Sequence, residues 1–184
     1  MKLYQFSGIL LFSLVVVAFT STSFVKKGKP AEIQWLTFEE AVALNKTEPK
    51  KIFIDVYTDW CGWCKVMDKN TFKNPYIAEY IIKNYHAVKL DAEQKGEIEF
   101  QGNTFKFVAR GKKGYHELAA ALLNGKLSFP TVVFLDEQFR MIQPVPGYQK
   151  PENLAPMLQY FAEDLHTSIS WEDFQKNYTS PFKK

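Results

Sequence analysis

The stretch KIFIDVYTDWCGWCK, residues 51–65, decides how the rest of the chain is read. Lys51 to Tyr57 is an apolar run interrupted by Asp55, and its length and β-branched content predict a buried central strand. Cys61 to Lys69 follows at once with helical character. The turn between them carries Trp60-Cys61-Gly62-Trp63-Cys64-Lys65. A C-x-x-C pair at a helix start brings both sulfurs within bridging distance. The first sulfur faces unpaired N–H groups and the positive end of the helix, which stabilises its thiolate and makes it the attacking nucleophile. The second, one turn deeper, attacks the resulting mixed disulfide and releases the bound chain. These are the two cysteines of the chain. One bridge across four residues cannot hold a fold together, so the pair reads as chemistry rather than as a staple.

Composition agrees with that division of labour. With 184 residues, 46% of them hydrophobic and 16 of them Phe, one domain can build its core without cysteine. A net charge of +3 lacks the dense basic stripe of a nucleic-acid binder, so no nucleic-acid partner is expected. Ahead of the domain, Lys2 precedes the apolar run Gly8 to Phe19 and the small polar stretch Thr20 to Ser23. That run of about 12 residues is too short for the roughly 20 that span a bilayer, and the three parts together read as a secretory signal. An uncleaved signal anchor tethering the protein to a membrane, or a buried N-terminal helix, stays open beside it. Export to a periplasm or cell envelope would put paired thiols in an oxidising compartment. The expected division is therefore 1–23 signal peptide, 24–34 exposed lead-in, 35–166 domain and 167–184 C-terminal extension.

Outward from the central stretch, Thr37 and Glu40 form a capping-box pattern ahead of Phe38, Ala41, Val42 and Leu44. Pro75 opens a helix over Tyr76 to Asn84, and Ala87 to Leu90 reads as a strand ending at Asp91. Alternating apolar residues around Gln101-Gly102-Asn103 predict a β-hairpin over Glu97–Val108. A helix is predicted from Tyr115 to Leu123, strands over Thr131–Leu135 and Phe139–Ile142, and a last helix from Pro151 to Leu165. Pro156 should then sit in that helix's first turn or kink it. Strands alternating with helices point to an α/β domain with a mixed central sheet.

Taken with these landmarks, the sequence resembles the thioredoxin superfamily over roughly Trp35 to Leu165. Ile52 to Tyr57 is similar to the family's central strand, with Asp55 at its buried acidic position, and Trp60 to Lys65 matches the W-C-G-x-C-K active site. Lys89 falls where the neighbouring strand often places a lysine near that acid. Phe129-Pro130-Thr131 matches the cis-proline turn that faces the cysteines, and Gly147 the glycine after the last hairpin. The run from Trp60 through Thr71-Phe72 to Asp91 is similar to thioredoxin-like domains such as the C-terminal domain of DsbD.

The resemblance implies a thioredoxin fold, a mixed central β-sheet flanked by helices, with the β-hairpin as an insertion before the cis-Pro. It implies a protein disulfide oxidoreductase in which Cys61 attacks, Cys64 resolves and Asp55 handles the proton. A buried acid has a raised pKa suited to that task; a plain partnership with Lys89 is the alternative. Trp60, Gly62, Trp63, Phe129 and Pro130 would meet the substrate, with Phe129 offering backbone to an extended segment. Tyr148, beside Gly147, is a further groove candidate.

Trp63 replaces the proline or histidine common between the cysteines, and an indole supplies neither rigidity nor a cation, so a moderately reducing potential is expected. Reduction or interchange is then favoured over primary oxidation. The partners expected are protein thiols and disulfides and a separate redox partner, a membrane-bound one among the candidates, with the chain itself a monomer. No cofactor is expected beyond the redox-active Cys61–Cys64 disulfide, and no metal. His86, His116 and His166 lack zinc-ligand spacing and read as surface or helix-end residues. His116 alone, on the helix leading toward Phe129-Pro130, is a candidate for proximity to the sulfurs. A thioredoxin-like binding or chaperone module with a non-essential redox pair is the competing reading, and a structural metal domain a remote third.

Overall fold

A computed structural model describes residues 31–111 and 113–182. The signal-like run and residues 24–30 lie outside the described residues. At the centre stands β1 (Lys51–Tyr57), buried almost throughout. It pairs in parallel with β2 (Tyr85–Asp91), with Asp55 opposite Lys89, and antiparallel with the strand Thr131–Leu135. That strand pairs in turn with Met141–Pro146. Counting strands along the chain makes these last two β7 and β8, and the sheet runs β2-β1-β7-β8.

Alternation along β1 divides the core in two. Ile52, Ile54 and Val56 face one layer with α1 (Phe38–Asn45) and α4 (Glu117–Leu122). Phe53 faces the other, with α3 (Pro75–Asn84), α5 (Pro151–Ala162) and α6 (Trp171–Asn177). Thr37 and Glu40 close the capping box at the start of α1, and Asn74 caps α3 ahead of Pro75. Part of the expected lead-in is structural: Ile33 is buried in the core. Leu36 bridges in parallel to Val88, its N–H donating to the Ala87 carbonyl while the Lys89 N–H donates to its own carbonyl.

Several predicted boundaries are corrected. The helix expected over Cys61–Lys69 is α2 (Gly62–Met67), which widens into a π-helical turn, Asp68–Phe72. The last strand begins later and runs further than Phe139–Ile142, because Phe139 takes a left-handed conformation (φ 60°) that closes the turn from Asp136. It then accommodates Pro144 and Pro146, as an edge strand can. Helix α5 ends at Ala162, ahead of Asp164 with φ 54°. Pro156 lies in its second turn rather than its first, where it denies the Glu152 carbonyl its usual N–H donor. Helix α6 was not foreseen; it buries Phe174 in the same core.

The insertion differs most. It holds two hairpins: β3 (Ile98–Phe100) with β4 (Asn103–Phe105), and β5 (Phe107–Arg110) with β6 (Lys113–His116). Tyr115 and His116 belong to β6, so α4 starts at Glu117 rather than Tyr115.

Candidate functional site

Strand β1 delivers the chain to Thr58, whose carbonyl accepts the Cys61 N–H at 3.0 Å and so closes the turn into α2. Cys61 is the N-cap of α2. Its Sγ accepts a hydrogen bond from the Cys64 N–H at 3.1 Å, an amide that would serve a thiolate in the same way. Cys61 and Cys64 are joined as a disulfide, with Cα atoms 5.3 Å apart. Both are buried, at 5% and 2% exposure, whereas Trp60 and Trp63 beside them are 61% and 62% exposed.

Those two indoles are each braced from a different side. Trp60 meets Phe129 edge-on at 6.1 Å between ring centroids, and its Nε1–H donates to Glu93 at 3.1 Å. Trp63 lies over Tyr148 at 5.5 Å. The Phe129–Pro130 peptide is cis, in a turn closed by the Thr131 hydroxyl donating to the Ser128 carbonyl at 2.8 Å. The Pro130 carbonyl accepts the Gly147 N–H at 2.8 Å. Gly147 has φ 89°, a conformation that favours glycine, and it turns the chain so that Tyr148 follows. Gln149 then anchors this loop to the helix: its carbonyl accepts the Thr71 hydroxyl at 2.6 Å and its N–H donates to Met67 Sδ at 3.4 Å. The π-helical turn is what presents Thr71 there.

Asp55 is fully buried in β1. Lys89 Nζ stands 2.7 Å from its Oδ2, although neither oxygen of Asp55 accepts a well-directed hydrogen bond among the described residues. Burial pushes the Asp55 carboxyl up from 3.8 to about 6, against the opposing pull of the Lys89 charge. Burial acts to lower Lys89, but Asp55 and Asp68 outweigh it and hold the ammonium above its ordinary value. Lys89 also donates to Asp68 at the start of the π-helical turn. Three rings surround its ammonium: Trp35 at 4.9 Å, Tyr57 at 5.1 Å and Phe72 at 5.5 Å. Sequence reasoning passed over Asp68 and Glu93. The only signal was the acidic character of positions near the cysteines and at the end of β2, which does not by itself say what they bond.

Among the candidates, Trp60, Phe129, Trp63 and Tyr148 come together as a rim around the cysteines, and Asp55 meets Lys89. Gly62 opens α2 with nothing packed where a Cβ would stand. His116 has a different post. It is fully buried as the N-cap of α4, its Nδ1 accepting the Leu118 N–H and its Nε2 bonded to the Gly96 carbonyl at 2.9 Å. His86 is likewise buried rather than superficial, with Nε2 2.7 Å from the Glu48 carbonyl.

Residues 16–148 match the family model Thioredox_DsbH, described as a protein of unknown function, DUF255. The uncharacterized protein B0495.5 of Caenorhabditis elegans is 31% identical over 84 residues, covering 45% of this chain and 12% of that protein. The thiol:disulfide interchange protein DsbD of Pectobacterium atrosepticum is 28% identical over 122 residues, 65% of this chain and 18% of its own length. The matched region thus spans less than a fifth of either relative. Among solved structures, a DsbH oxidoreductase superposes with a TM-score of 0.52 at 22% identity, over 77% of this chain and 93% of its own. A putative disulphide-isomerase from Bacteroides thetaiotaomicron gives 0.51 at 23% identity, over 78% and 100%. At these identities the likeness establishes the thioredoxin fold.

Proposed function

The chain belongs to the Thioredox_DsbH family (DUF255), and from that premise we propose that it is an exported protein thiol–disulfide oxidoreductase working as a reductant or interchange catalyst. The observation that carries the reading is the buried, bridged Cys61–Cys64 pair at the start of α2 inside an exposed aromatic rim. In the reduced form, the Cys61 thiolate attacks one sulfur of a substrate disulfide and expels the other as a thiolate. Asp55, as a carboxylate above its pKa of about 6, takes the proton from Cys64. The Cys64 thiolate then attacks Cys61 Sγ, reforms the intramolecular disulfide and releases the second substrate thiolate. Two electrons pass from the pair to the substrate, and an external dithiol donor restores it. Trp60, Trp63, Phe129 and Tyr148 grip the chain around the substrate cysteine, and the cis turn at Phe129–Pro130 aligns it. Export rests on the run from Lys2 to Ser23.

Insulin reduction by the wild type and by Cys61→Ser tests the reading. Loss of activity in the variant is expected, and equal activity in both overturns it. Cys64→Ala should accumulate mixed disulfides with substrates. The reduction potential should lie well below the strong-oxidant value of about −120 mV. The exposed indoles also favour a second reading, a polypeptide-binding module. In that case Cys61→Ser would still suppress aggregation of an unfolded client as well as the wild type does.

A further inference from the structure

We propose that the insertion acts on the redox site through Lys113, a positioning residue that fixes the Trp60 indole as a platform for an apolar side chain next to the substrate's cysteine. The inference rests on the disulfide-exchange reading above and adds a determinant of specificity to it.

The second hairpin is built to stand in one place. Arg110 pairs with Lys113 at its tip and Ala109 with Gly114. A Cβ on Gly114 would lie 2.1 Å from Phe107 Cζ and 2.5 Å from the Val108 carbonyl oxygen, so the Phe107 ring folds across the ladder where only glycine fits. The base of the hairpin is tied to the loop that leaves β2. The His116 N–H makes that tie, donating to the Ala92 carbonyl at 2.7 Å, while the Glu117 N–H closes the hairpin's own base by donating to the Lys106 carbonyl at 2.9 Å. That same loop carries Glu93, the acceptor for the Trp60 indole N–H.

Trp60 is therefore gripped by three separate elements. Glu93 holds its N–H, Phe129 abuts it edge-on, and the Lys113 ammonium stands over its ring, 5.5 Å from the centroid. Among the described residues Lys113 makes no ion pair, and the carboxylates Asp59, Asp91 and Glu93 line the same cleft as the ammonium and the ring. A cleft of about 360 Å³ opens here, lined in part by Trp60, Glu93, Phe107 and Lys113. A cation over an indole face is attracted by the ring's quadrupole and restricts how the ring tilts. The indole stays 61% exposed directly before Cys61, so it offers apolar surface to whatever follows a substrate sulfur into the site.

The test compares wild type, Lys113→Gln and Lys113→Arg, each with and without Trp60→Ala. Two disulfide-linked peptides serve as substrates, one with Phe and one with Gly beside the cysteine, with dithiothreitol as electron donor. Lys113→Gln should raise KM for the Phe peptide about threefold with kcat unchanged, and leave the Gly peptide unaffected. Lys113→Arg should restore the wild-type KM, and Trp60→Ala should abolish the difference between Lys and Gln. The Trp60 indole N–H resonance should also move in Lys113→Gln. An effect that persists without Trp60, or an indole resonance that does not move, overturns the proposal. A wild type that reduces neither peptide overturns the exchange reading and the substrate role with it, while the resonance still reports whether Lys113 positions the ring.

Discussion

Two strand lysines each sit between two carboxylates, and they serve opposite ends. Lys51 opens β1 at 4% side-chain exposure, 2.7 Å from Glu137 and 2.9 Å from Asp164, whose side chains are 33% and 59% exposed. Lys89, in the middle of β2, is paired with Asp55 and Asp68, which are 1% and 42% exposed. The cations are alike; the acids differ. Both carboxylates at Lys51 keep water, and the group ties the start of the sheet to the β7–β8 turn and the end of α5. Asp55 has lost its water, and its carboxyl rises to about 6, within reach of physiological pH. Burial of the acid, rather than the pairing, is what raises it into the range that the proposed proton transfer needs.

That contrast can be broken at its strongest point first. Lys89→Met leaves Asp55 buried without its cation, which should push the carboxyl above 6 and cost about 3 kcal/mol of stability at pH 8. At pH 5 Asp55 is protonated in the wild type as well, so the penalty should shrink. Urea unfolding at both pH values measures the difference, and a penalty independent of pH would mean that Asp55 is not the group responsible.

Asp55→Asn probes the same site from the other side. Resolution by Cys64, followed by stopped flow, should slow about 100-fold. The folded state holds a proton on Asp55 up to about 6, whereas the unfolded chain releases it near 3.8. Wild-type stability contributed by this group is therefore lost as pH rises from about 4 to about 6. Asp55→Asn should remove that decline and gain about 3 kcal/mol at pH 8. Lys51→Met should give the smallest effect, a loss of about 1–2 kcal/mol, because its carboxylates can rehydrate. Its cost should not vary between pH 5 and pH 8, and disulfide exchange should keep its rate. A change in exchange rate would erase the distinction between the two lysines.

How much of this was readable depended on how local the cause was. Strand β1, the cysteine turn and the Phe129–Pro130 turn are written in contiguous residues, and strand Thr131–Leu135 forms over the span predicted. The pairing of Asp55 with Lys89 was expected from the family resemblance, and the parallel register of β1 and β2 sets the two residues opposite each other. Hairpin β5–β6 was missed because its register depends on Phe107 lying over Gly114, a contact that no periodicity announces. The start of α4 was misplaced because its cap is His116 rather than Ser, Thr, Asp or Asn. Helix α6 was missed although its signal is local: Ser170-Trp171-Glu172-Asp173 is a capping pattern, and Ser170 does cap it. The π-helical turn has no signature in the sequence, yet it brings Asp68 to Lys89 and Thr71 to Gln149.

The two outer strands of the sheet carry a further consequence. On β8 the Gly147 N–H points inward to the Pro130 carbonyl, so by alternation the positions of Pro144 and Pro146 face outward, where neither has an amide to offer. On β2 the segment at Leu36 already occupies the Ala87 carbonyl and the Lys89 amide. A stray extended chain thus finds little to add itself to at either border. For a protein proposed to handle incompletely folded clients, this amounts to self-protection. In that role the exposed indoles of Trp60 and Trp63 would be left as the surface for a client, rather than the backbone, where a strand once annealed could seed a polymer.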